Sequence, residues 1–71
     1  MMAPDDRVLV GVDSWAGREW YPARLVRVTA TRAFVRWSEV AHIGGRGRWV
    51  KPGDESWVPR HAVRDEKGGH V

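Results

Sequence analysis

The stretch "GREWYPARLVRV", residues 17–28, decides how this chain is read. Trp20 and Tyr21 stand side by side, and arginines interleaved with apolar residues follow them. Neighbouring side chains on a strand point to opposite faces, so only one of the two aromatics enters a single core. Tyr21, Ala23 and Leu25 fall on one face; Trp20, Pro22, Arg24 and Val26 fall on the other. Val28 continues neither set cleanly, which predicts a bulge near Val26 and Arg27. Trp20, beside Pro22 and Arg24, is expected to pack on the solvent side under a neighbouring arginine or loop.

The same period of two runs outward in both directions. "RVLVGVD" (7–13) sets Val8, Val10 and Val12 against Leu9 and Gly11. "RAFVRW" (32–37) sets Ala33, Val35 and Trp37 against Arg32, Phe34 and Arg36. The β-branched and aromatic enrichment supports strands. Asp13, Ser14 and Gly17 supply turn chemistry between the first two, and "TAT" (29–31) makes a tight link to the third. "SEVAHIGGRGR" (38–48) reads as a long glycine-rich loop, "RWV" (48–50) starts a further strand, and "KPGDE" (51–55) is a proline-glycine turn. "SWVPRHAVR" (56–64) predicts a short strand, a turn over Pro59 to His61 and a last strand. No segment carries an uninterrupted helical stripe, so the expected fold is all-β: a small, strongly bent, five-stranded antiparallel barrel over residues 7–64. Closure would remove the exposed edges that so few strands otherwise leave. Residues 1–6 and 65–71 are expected to be flexible termini.

Size and composition narrow the class. A chain of 71 residues allows one domain, and a domain that small buries only about 60% of its unfolded surface. With no cysteine, neither a disulfide nor a thiolate metal site can staple it. The five tryptophans are suited to a dense core instead. No apolar run reaches membrane-spanning length, and "MMAPDDRVLVGVD" lacks the pattern of a signal peptide. The expectation is an intracellular protein of the cytoplasm, nucleus or nucleoid that does not act at a membrane. Ten arginines and two lysines against nine acidic residues give a net charge of +3. That balance favours anionic partners such as nucleic acid, although arginine-rich composition also follows from coding bias.

"VDSWAGREWYPARLVRV", "AFVRW" and "DESWVPRHAVR" together resemble the Tudor, chromo-barrel and malignant-brain-tumour group of SH3-like barrels. The matching positions are Val10, Asp13, Trp20, Tyr21, Ala23, Leu25, Val35, Trp37, Asp54, Glu55, Trp57, Val58, Val63 and Arg64. Two features depart from that pattern: Ser56 separates Glu55 from Trp57, and "SEVAHIGGRGR" replaces the Tyr-Gly or Gly-Trp that follows the third strand. The resemblance implies a module that binds a peptide or protein segment, in its specific form a methylated Lys or Arg side chain, in an aromatic cage. Trp15, Tyr21 and Trp37 would line that cage, with Trp57 or Trp49 at its rim and Glu39 or Asp54 as polar partners. A cation over ring faces gains about 0.5–2 kcal/mol. The bare pattern leaves a second reading open, because Tyr21 and Trp37 share a face with Ala23, Leu25 and Val35 and equally suit a filled core. Trp57 equally suits a clamp on the closing turn. Trp15, on a loop, is the aromatic least suited to a core and the best contact candidate.

Two further readings stand beside the cage. "GGRGRW" (44–49) carries Arg46 and Arg48 next to Trp49, a composition that suits single-stranded nucleic acid; it equally makes a plain hairpin loop. Arg24, Arg36 and Phe34 project from the outer face, and Arg27 and Arg32 flank the tight turn, so adjacent strands would form an arginine stripe for a phosphate backbone. The same stripe reads as a solvated face balanced by Glu19, Glu39 and Glu55. A third reading is a homo-oligomer or a subunit of a larger complex, with exposed aromatics as contacts.

Catalysis is not expected. Ser14, Ser38 and Ser56 lack a nucleophile context, and His42, His61 and His70 have no metal-ligand spacing. His61 reads as a surface or capping residue. No cofactor motif is present, so no cofactor or metal is expected.

Overall fold

The computed structural model describes residues 5–14, 17–43, 48–66 and 69. Among these residues seven strands and one short 3-10 helix follow in order: β1 (Arg7–Ser14), β2 (Gly17–Val28), β3 (Arg32–Trp37), β4 (Ala41–His42), β5 (Trp49–Val50), β6 (Glu55–Pro59), η1 (Arg60–Ala62) and β7 (Val63–Asp65). Five of them form one antiparallel sheet in the order β6-β3-β2-β1-β7, and β4 and β5 form a separate pair.

The expected all-β class and the five-stranded antiparallel sheet are present; the expected closure is not. Among the described residues no ladder joins β6 to β7, so the sheet is open rather than a closed barrel. The cause is the connection between them. Adjacent antiparallel strands are joined most compactly by a reverse turn, whereas here the chain leaves β6 through η1, and β7 pairs with β1 instead. Arg60 fixes that exit: its N–H donates to Thr31 O at 3.0 Å, and its guanidinium donates to Thr29 O at 3.1 Å. The N–H of Val63 closes the 3-10 turn on Arg60 O.

The bulge expected in the opening stretch falls between Leu25 and Arg27. Before it, the odd-numbered residues of β2 face inward: Ala23 opposes Trp37 and Leu25 opposes Val35. After it, Arg27 opposes Phe34 and Val28 opposes Ala33. One extra residue therefore reverses the alternation and turns Arg27 to the outer face.

The inner faces of β1, β2 and β3 supply most of the core. Val8, Val10, Ala23, Leu25, Ala33, Val35 and Trp37 are buried there, Val63 of β7 joins them, and Ala41 and Val50 of the β4–β5 pair pack with them. The sequence reading placed a structureless loop where β4 lies. Its two residues are too few to carry a periodic signal, but Ala41 opposes Val50 and both are buried. The 51–54 turn is built as its residues demand, with Gly53 at φ +94°, a conformation that favours glycine. Asp54 N–H donates to Lys51 O, and the Asp54 carboxylate accepts from the Lys51 N–H. At the start of the chain, the Leu25 backbone bonds to both Asp5 and Asp6, so ordered backbone begins ahead of β1.

Candidate functional site

Among the described aromatics proposed for a cage, Trp37 and Trp57 border a common cleft and Tyr21 does not. Trp37 is 1% exposed and belongs to the core, with its indole Nε1–H donating to Ser56 Oγ at 2.7 Å. Tyr21 opposes Val10 and packs half-buried against the core, and its hydroxyl donates to the Glu19 carboxylate. That bond stabilises the neutral phenol and, with some burial, raises its pKa above the ordinary value. Trp57 opposes Phe34 on the outer face, with ring centroids 5.0 Å apart, and the Arg32 guanidinium carbon lies 5.3 Å from the Trp57 ring centre. Trp15 and Arg46 lie outside the described residues.

The remaining candidates are scattered. Glu39 is exposed on the connection after β3. Asp54 is committed to the turn before β6. Arg48 and Trp49 belong to the β4–β5 unit, where the exposed Trp49 ring tilts against His42 at 4.9 Å. Arg24 and Arg36, by contrast, are directly opposed on β2 and β3.

That cleft, of about 350 Å³, opens between the end of β1 and the β6–η1 corner. Val10, Gly11, Val12 and Asp13 form one side; Trp57, Val58, Pro59, His61 and Ala62 form the other. Trp37 and Ile43 also line it, and Arg18 lines it opposite Asp13. The volume is within the range of about 300–1,000 Å³ typical of ligand pockets. Arg18 Nε donates to Asp13 Oδ1 at 2.8 Å and Nη2 to Oδ2 at 3.3 Å. That bidentate pair holds the Asp13 carboxyl below its usual range, with a smaller contribution from His61, and raises the pKa of Arg18.

Two strand edges border this cleft. β7 pairs with β1 only from Val8 to Val10, so Gly11–Ser14 have no partner strand on that side among the described residues. On β6 the direction of the free groups follows from register. Trp37 N–H donates to Asp54 O at one end of the β3–β6 ladder, and Arg60 N–H donates to Thr31 O at the other. Antiparallel hydrogen-bonded pairs recur at alternate residues, so Ser56 and Val58 bond toward β3. The N–H and C=O of Trp57 then point to the free edge.

Sequence reasoning missed most of this cleft. Trp37 and Trp57 were singled out for their rings, whereas Trp57 borders the cleft while its ring packs on the far side of the sheet. His61 was read as surface or capping; it is exposed and also lines the cleft. Asp13 and Arg18 carried a readable signal, since opposite charges at the two ends of a hairpin turn meet across the ladder. No family model, curated protein or solved structure matches the chain.

Proposed function

We propose that the chain is a non-enzymatic binding module that takes an extended peptide or protein segment in the cleft between β1 and β6. The observation that carries this reading is a cleft of mixed polar and apolar lining, bordered by strand edges that have no partner strand among the described residues. An extended segment added to such an edge gains main-chain hydrogen bonds, and its alternate side chains enter the pocket. Val12, Ile43 and Val58, each partly buried, offer apolar contact to those side chains, and the Asp13–Arg18 pair and His61 offer polar contact.

The SH3-like and Tudor-like reading fits this function. It is supported by the strand order β6-β3-β2-β1-β7. A methylated Lys or Arg side chain is the specific form of the ligand in that reading. Its cage would depend on Trp15, because Trp37 is buried and Trp57 turns its ring to the other face.

The test is selection from a displayed library of random peptides, followed by affinity measurements on Val12→Phe, which fills the cleft without changing charge. Enrichment of peptides that lose about tenfold or more in affinity to the variant supports the reading, since the loss of one well-filled pocket is worth about 1–3 kcal/mol. No enrichment, or equal binding by the variant, contradicts it.

A further inference from the structure

The outer face of the sheet carries a feature that the cleft does not use. The register aligns Glu55, Arg36, Arg24 and Arg7 in one row across β6, β3, β2 and β1. Strands lie about 4.8 Å apart, so the three arginine positions span roughly 10 Å. Like charges directly opposed across strands are destabilising, and this row places two such pairs in succession. Acidic groups offset it only at the surface. Arg36 meets Glu55 at 3.2 Å and Asp5 at 4.0 Å, Arg7 meets Glu66 at 3.9 Å, and Arg24 donates to the Asp5 carbonyl at 3.1 Å. Both partners of each ion pair are well exposed, and exposed pairs contribute little and are readily exchanged.

The next row is aromatic. Phe34 and Trp57 stack against each other, and the bulge brings Arg27 opposite Phe34. Trp57 is 44% exposed, and Arg32 covers part of it. Two residues along a strand separate the rows, about 7 Å. We propose that this face binds single-stranded nucleic acid, with phosphates on Arg7, Arg24, Arg36 and Arg27 and a base on the exposed Trp57 ring. Guanidinium groups match phosphate geometry bidentately. Aromatic platforms beside a basic track are the recurring solution for single strands, where bases are free to stack. A duplex, whose bases are already stacked on one another, would leave the aromatic row unused.

The probe is a fluorescently labelled mixed-sequence single-stranded oligonucleotide, read by anisotropy across a salt series. The full chain should bind it in dilute buffer, with affinity falling linearly on a log–log salt plot. Arg24→Ala with Arg36→Ala should lower affinity about tenfold or more and flatten the salt slope by roughly 0.7 per lost phosphate contact. Trp57→Ala should weaken binding at an unchanged slope, and Val12→Phe should leave it intact, which separates this surface from the cleft. Arg27→Ala, whose side chain has no partner among the described residues, checks the result without disturbing an ion pair. Binding that is absent in dilute buffer, unaffected by these variants, or matched by a duplex or by phosphatidylserine vesicles would overturn the proposal.

Discussion

The Arg64 guanidinium carbon lies 3.6 Å from the centre of the Trp20 ring, and the Arg18 guanidinium carbon lies 5.7 Å from it. Arg64 opposes Leu9 on β1, and Trp20 opposes Gly11 two positions along. Trp20 therefore joins β7 to β2 across the intervening strand, which matters because β7 has only three residues. Among the described residues Arg64 Nε is buried without a hydrogen-bond partner, and the guanidinium lies against the Trp20 π face. Trp20→Leu and Arg64→Gln should each lower thermal stability by about 1 kcal/mol, and the double mutant should fall short of their sum. Strict additivity in that cycle would show the contact to be energetically empty.

Gly11 is required by the same arrangement. A Cβ there would lie 2.8 Å from Arg18 Cδ and 3.0 Å from two Trp20 ring carbons. Arg18 can swing away, but Trp20 is held by Arg64. Gly11→Ala should cost about 1–3 kcal/mol, read by chemical denaturation. In a Trp20→Leu background the cost should shrink.

Trp37 is a structural residue first. Trp37→Ala should cost about 3–5 kcal/mol, enough to unfold much of a domain whose total stability is only about 5–15 kcal/mol. Ser56→Ala leaves the indole N–H unsatisfied and should cost about 1–3 kcal/mol, whereas Trp37→Phe with Ser56→Ala removes both polar partners and should cost less than the two changes summed. Denaturant midpoints of the four proteins check this.

Tyr21 is the only tyrosine, so its phenolate absorbance reads that residue alone. Its folded pKa is raised above 10.0, first by the hydrogen bond to Glu19. A raised folded value means the stability this bond contributes is present below pH 10.0 and is lost as pH rises through the folded pKa. Glu19→Gln should move the spectroscopic midpoint down toward the ordinary value. Asp13 has the opposite sign. Its folded value is depressed below 3.8 by Arg18, so its contribution is present above that pH and disappears as acid protonates the carboxyl. Asp13→Asn should flatten the acid limb of the stability profile.

Much of the fold was legible because alternation survives in long strands. The opening stretch placed Tyr21 inward and Trp20 outward under an arginine, and the irregular Val28 marked the bulge. β4 was lost because two residues cannot show a period, and openness was missed because the absence of a β6–β7 ladder depends on how η1 directs the chain. The cleft was harder to see. It is made by the ends of β1 and β6, which are distant in sequence, and its border at Trp57 lies beside backbone groups that no side-chain pattern encodes. The arginine row was half visible: Arg24 and Arg36 were paired in expectation, while Arg7 joined them only through the β1–β2 register.

Amide hydrogen exchange at Trp57 tests the central claim most directly. In the free protein its N–H should exchange quickly while that of Val58, bonded toward β3, is protected. Addition of a cleft-selected peptide should then slow Trp57 strongly and leave Val58 nearly unchanged. A Trp57 amide already protected in the free protein, or still unprotected when the peptide is bound, would contradict an open β6 edge that receives an extended segment.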